Sequence, residues 1–203
     1  MLPDLETARR LYELAGKITD RLNLQMGLEI GDSRNHYQDV AAAAETIARA
    51  CGMDAEKAYI LGLLHDYGEY IEDTVPGTFH GTAGYDEMMK LGYDEVARTC
   101  LSHSFWEGIY DPDYFVYDRR QIIRAGELMS SIVPDDYDRL IQLSDLLSCE
   151  RPRINLEGRI DYIIRKYKLN PEQAAGKKAA AARLKAYFDD KCGQDVYQLL
   201  GII

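Results

Sequence analysis

Long apolar runs are missing from this chain. No stretch approaches the ~20 residues that a bilayer-spanning helix needs, which argues against a membrane protein. The opening residues, MLPDLETARRLYELAG, carry acidic side chains early and lack the apolar core of a secretory signal, so a cytoplasmic location is expected. Basic residues are outnumbered: 24 Lys and Arg stand against 34 Asp and Glu, giving a formal net charge of −10 at pH 7. Such a field repels polyanions, so a nucleic-acid polymer is not an expected partner. A small anionic substrate stays compatible, because metal ions and a few arginines can invert the local potential. The four cysteines, Cys51, Cys100, Cys149 and Cys192, lie far apart with no CxxC or CxC spacing, and read as reduced thiols, mostly in the core. Sustained β-branched alternation, internal repeats and low-complexity tracts are also lacking, which disfavours a sheet or a solenoid.

What the chain has is helical periodicity, over 203 residues that suffice for one domain with a proper core. Leu5, Ala8, Leu11, Ala15, Ile18 and Leu22 step by three and four along a first helix. A second helix is predicted from Asp32-Ser33 to Cys51-Gly52, and a third from Asp54 to about Glu72, ended by Val75-Pro76-Gly77. Short helices follow over Phe79–Leu91, with Thr78 as cap, and Asp94–Ser104. Trp106–Tyr117 reads as an aromatic loop, and further helices are predicted at about 119–132, 135–149, 155–169 and 171–190. The fold class is all-α.

All four histidines and two aspartates form one ordered series: His36, His65-Asp66, His80, His103 and Asp145. Imidazole and carboxylate together suit a borderline or hard divalent ion, and five or six such groups can hold two. His36 shares its helix face with Val40, Ala43 and Ile47, and His65 shares one with Ala58 and Leu61. His103 follows Val96 and Cys100 on an inward face. Each alone reads as a core histidine. Asp66 is harder to place without a cation or donors, since it lies beside a buried face, and Gly62 leaves room for a backbone or an ion. His80, in a first helical turn, is favoured as the neutral imidazole that binds metal, although read alone it is an exposed polar residue at a helix start. Asp145 shares a side with Asp138 and Gln142, opposite Leu140, Leu143 and Leu147, so its periodicity alone predicts a solvated carboxylate.

The order His…His-Asp…His…His…Asp resembles the HD-domain superfamily of metal-dependent phosphohydrolases, whose members are all-helical. The likeness spans about residues 30–155 of a single domain that has extra N- and C-terminal helices. NHYQDVAAAAETIA resembles the first-ligand helix and LLHDYGEY the signature helix. HGTAGYDEMMKLGYDEVARTCLSHS resembles the two later histidine segments of dinuclear members, and LIQLSDLLSCERPR the final-aspartate helix. The nearest likeness is to small bacterial enzymes that cleave dinucleoside tetraphosphates symmetrically, in which an arginine follows the final aspartate by six residues, the place of Arg151. Two departures are Glu69, where a lysine is expected, and the extended aromatic and acidic stretch from Trp106 to Tyr137. HDYGE also resembles mononuclear nucleotidases of the superfamily, in which a glutamate near the metal helps activate water.

This resemblance implies two divalent transition-metal ions, of iron, manganese, cobalt or zinc. His36, His65, Asp66 and Asp145 would hold one and His80 and His103 the other, with Asp66 bridging. A water acidified toward pKa ~7 would attack phosphorus in line. Asp66 and Glu69 would serve catalysis, and Arg151, with Arg34 or Arg124 as substitutes, would offset the developing charge. The implied substrate is a nucleotide, a dinucleoside polyphosphate or another small phosphate ester, with aromatic residues of 106–117 stacking on bases. The same six ligands serve di-iron oxygenases, and a metal-stabilised regulatory module without turnover is a third reading.

Overall fold

In the computed structural model, residues 1–26, 32–75, 77–106, 118–148 and 153–202 are described. Among them every regular element is a helix: α1 (Leu5–Met26), α2 (Asp32–Ala50), α3 (Ala55–Leu64), α4 (Glu69–Thr74), α5 (His80–Lys90), α6 (Asp94–Ser102), α7 (Arg119–Ser130), α8 (Asp136–Leu147), α9 (Leu156–Tyr167), α10 (Pro171–Cys192) and α11 (Val196–Leu200). None of the described helices is long and apolar enough to cross a membrane.

Local chemistry sets most of the boundaries. Asp54 caps α3 by accepting the Lys57 amide, and Gly52 just before it takes the left-handed conformation that ends α2. Asp135 with Asp138, and Asn170 with Gln173, close reciprocal capping boxes on α8 and α10, and Pro171 opens α10. The N-cap of α5 is Phe79 rather than Thr78, with no side-chain cap. Asp195 caps the short α11, which the periodicity did not indicate.

The predicted helix from Asp54 to Glu72 is broken in two. It turns at His65–Gly68 and restarts as α4, because the turn presses backbone to backbone on α5. A Cβ on Gly68 would lie 2.0 Å from the His80 carbonyl oxygen and 2.5 Å from the Gly84 nitrogen. Gly62 plays a similar part between helices: a Cβ there would fall 2.8 Å from the Ala41 Cα, so the room it leaves is taken by α2. On α1 the buried face is centred on Ala8, Tyr12, Ala15 and Thr19, while Leu5, Leu11, Ile18 and Leu22 are half-buried at its flanks.

The main core lies between α2, α3 and α8, where Val40, Ile47, Leu61, Leu64, Leu140, Leu143 and Leu147 are fully or almost fully buried. Each such side chain contributes about 1.5–3 kcal/mol. A smaller cluster, Phe79, Leu101, Phe105, Ile122 and Ala125, seats α7 against α5 and α6. Cys51 and Cys192 are joined by a disulfide across 141 residues, which corrects the expectation of reduced thiols throughout. Spacing along the chain could not show it, because the pairing follows from the ends of α2 and α10 meeting. Cys100 is a buried free thiol, and Cys149 lies outside the described residues.

Candidate metal centre

Four helices and one turn deliver the histidine–aspartate series to a single point. His36 comes from near the start of α2, His65 and Asp66 from the turn after α3, His80 from the first position of α5, His103 from the end of α6 and Asp145 from α8. His65 closes α3 in helical conformation and Asp66 follows it in the turn that leads to α4.

Asp66 sits at the centre and divides its oxygens. Its Oδ2 lies 3.2 Å from His65 Nε2 and 3.7 Å from His36 Nε2. Its Oδ1 lies 3.0 Å from His103 Nε2 and 3.5 Å from His80 Nε2. Two ligand groups result, His36–His65–Asp66 and Asp66–His80–His103, each with donor atoms within 4.8 Å of one another. Asp145 joins the first through its Oδ1, 3.2 Å from His36 Nε2.

Three of the imidazoles are oriented from behind. His65 Nδ1 lies 2.8 Å from the Gly62 carbonyl, His103 Nδ1 3.2 Å from that of Thr99, and His36 Nδ1 3.3 Å from that of Ser148. A carbonyl can only accept, so Nδ1 carries a proton in each ring, and Nε2 is the atom turned toward Asp66 and left to ligate a metal once its own proton is displaced.

The buried atoms favour a cation here. His65 Nε2 and Asp66 Oδ1 are buried with no hydrogen-bond partner among the described residues. Leaving such groups unpaired costs about 1–3 kcal/mol each, and a divalent ion would satisfy both. The nitrogen and oxygen donors suit a borderline transition metal.

Protonation equilibria point the same way. Burial opposes a charged His36 ring, but Asp145 and Asp66 outweigh it and hold His36 well above its ordinary 6.5. Burial likewise opposes ionised Asp66, yet the positive charge of His65 and His103 holds it well below the usual carboxylate range. Asp145 is drawn down to about 2, its His36 bond outweighing burial. The carboxylates are thus ionised for ligation, and an ion would displace the imidazolium protons that otherwise balance them.

Glu69, the first residue of α4, accepts a hydrogen bond from the Tyr37 hydroxyl. Burial and then the Asp66 charge push its pKa up to about 7. The arginines are less concentrated. Arg34 is turned toward α1, 3.2 Å from Asp20 and 3.6 Å from Glu13. Arg124 pairs with Asp86 at 2.6 Å and lines a separate cavity of about 320 Å³ with Thr78, Thr82 and Gln121. Arg151 lies outside the described residues, as do 107–117 of the aromatic loop. Trp106 is buried with Lys177 4.1 Å over its ring, so it is not an open stacking face.

Two neighbours escaped the sequence reading. Ser148, one turn beyond Asp145, supplies the carbonyl behind His36 and donates its hydroxyl to the Asp39 carbonyl. Arg153 donates to the same Asp39 carbonyl at 3.1 Å. The second arginine of ERPR is the signal in the sequence for Arg153.

Residues 34–148, more than half of the chain and containing all six proposed ligands, match the family model described as HD domain. Ribonuclease Y of Thermotoga petrophila is 28% identical over 160 residues, which cover 78% of this chain and 26% of that protein. Ribonuclease Y of Mesoplasma florum is 33% identical over 88 residues, 43% of this chain and 16% of that protein. The chain thus spans about a quarter or less of these relatives' lengths. No solved structure matches the chain.

Proposed function

The chain belongs to the HD domain family, and we propose that it is a metal-dependent phosphohydrolase acting on a nucleotide, a dinucleoside polyphosphate or another small phosphate ester. The observation that carries this reading is the division of Asp66, with one oxygen toward His36 and His65 and the other toward His80 and His103. A carboxylate so shared suits a two-ion site of iron, manganese, cobalt or zinc. When bound, such ions acidify water and withdraw charge from a phosphoryl group.

The chain's own residues supply the rest. His36, His65, Asp66 and Asp145 hold the first position, and Asp66, His80 and His103 the second. Glu69, which accepts the Tyr37 hydroxyl, is assigned the transfer of a proton from the attacking water or back to the leaving oxygen. Arg151 is assigned to the phosphate, because a guanidinium matches its oxygens in a bidentate fork. Arg34 is the reserve candidate, and would have to release Asp20 and Glu13 to reach a substrate. The similarity to proteins named Ribonuclease Y supports hydrolysis of a phosphodiester-like bond by the shared segment.

The test is elemental analysis of the purified protein, paired with a phosphate-release screen over mononucleotides and dinucleoside polyphosphates under each of the four metals. Two ions per chain and metal-dependent release of phosphate are expected. Oxygen consumption by a di-iron form without hydrolysis would overturn the assignment, as would metal binding with no turnover across the screen.

A further inference from the structure

We propose that the polar face of α8 ties the two ion positions together, with Gln142 as the positioning residue for His103. The inference rests on the two-ion reading above. Asp138, Gln142 and Asp145 step by four and three, so they line one side of the helix. That side is interior: Asp138 is 1% exposed and Gln142 2%. Its far end meets the first position, through Asp145 and His36. One turn back, Gln142 reaches the segment that bears His103.

The Gln142 contact is specific in direction. Its Nε2 lies 2.9 Å from the Ser102 carbonyl and 3.3 Å from that of Phe105. Both partners accept only, so the amide nitrogen must face them. These carbonyls bracket His103-Ser104 where α6 ends, and that of Ser102 also accepts the Phe105 amide at 3.0 Å. A further turn back, Asp138 accepts the Ser102 hydroxyl at 2.6 Å and lies 3.3 Å from Arg98. The end of α6 is thus held at two levels by α8, and it carries His103, whose Nε2 lies 3.0 Å from Asp66. Helix α8 ligates the first ion directly and steadies a ligand of the second.

A purely structural glue would, on mutation, lower stability and weaken both positions alike. A positioning residue makes a different prediction. The metal-free chain is titrated with Mn²⁺ by calorimetry, with the melting temperature of the metal-free form recorded in parallel. Gln142→Met, which keeps volume and removes both donors, should weaken the second ion roughly 10–100-fold, the usual scale for a lost outer contact to a ligand. The first ion should bind as in wild type. Ser102→Ala, which cuts only the Asp138 tie, should show the same selectivity to a smaller degree, and decides the matter should Gln142→Met fail to fold. Unchanged binding of both ions, or equal weakening of both, overturns the proposal while leaving the two-ion reading intact. A wild-type protein that takes a single ion sinks that reading, and the coupling with it.

Discussion

Asp66 belongs to both ligand groups of the proposed centre. Asp66→Ala removes one donor from each ligand group and should abolish both ions, while His80→Ala should cost mainly the second. Metal content by plasma mass spectrometry checks this, and a fully loaded Asp66→Ala protein would refute the bridging role. Glu69→Gln keeps size and its place beside Tyr37 but cannot carry a proton away. It should retain metal and lower kcat roughly 10²–10⁴-fold, the range for a lost general acid–base. Undiminished turnover removes Glu69 from the proton path. At this scale His36, His65 and His103 were legible, because each falls on an apolar face with a helical step, whereas His80, in a first helical turn, was not. Nor was Asp145. Its periodicity separated it from Leu140, Leu143 and Leu147, and a helix with one solvated side would then expose it. Helix α8 is instead enclosed, with Ile141, Gln142, Ser144 and Leu146 buried as well. Periodicity distinguishes apolar from polar sides, and an interior lined with ligands looks the same to it as water. Only the resemblance placed Asp145 in the site.

At the scale of elements, the decisive feature is the turn that divides α3 from α4 and sets Asp66 between the histidine pairs. Its closeness to α5 is a backbone contact, and Gly68 is the one residue type that permits it. Gly68→Ala should force α5 outward and cost about 2–3 kcal/mol, a fall of roughly 4–12 °C in the melting temperature of a protein this size. Since His80 opens α5, the same variant should lose the second ion first. Thermal unfolding with and without Mn²⁺ measures both effects, and a wild-type melting curve would show the contact to be dispensable. LLHDYGEY continues an apolar run without proline, a pattern that predicts a helix through to Glu72. The interruption is a tertiary demand made by α5, which local propensity does not register. The caps at Asp54, Asp135, Asn155 and Asn170 needed only their own helix, and those boundaries fell within a residue or two of expectation.

At the scale of the molecule, two long-range facts outrun any local pattern. The Cys51–Cys192 bond closes a loop of 141 residues and fastens the end of α10 to the end of α2, the helix that carries His36. Cross-links of this kind contribute about 2–4 kcal/mol. Reduction, or Cys51→Ser, should therefore lower the melting temperature by roughly 4–16 °C. A reductant-insensitive melt, with two reactive thiols at these positions, would show the pair to be unlinked. The expectation of reduced thiols rested on spacing, and this pairing corrects it for Cys51 and Cys192.

The second fact is charge. A net −10 opposes the approach of a long polyanion, and the centre itself would be the local exception only once cations occupy it. A small substrate can reach that spot while presenting few phosphates to the acidic surface. A strand of many phosphates meets the whole field. Metal-dependent hydrolysis should therefore be measurable with mononucleotides or dinucleoside polyphosphates and insignificant with oligonucleotides, and the contrast should narrow as salt screens the field. Side-by-side assays at low and high salt decide it. Efficient cleavage of single-stranded RNA would overturn the charge argument and turn attention to α9, where Arg159 and Lys166 flank the exposed ring of Tyr162. That basic and aromatic face lies within a protein acidic overall, and Arg159→Glu with Lys166→Glu would then abolish binding of the strand while leaving hydrolysis of a dinucleotide unchanged.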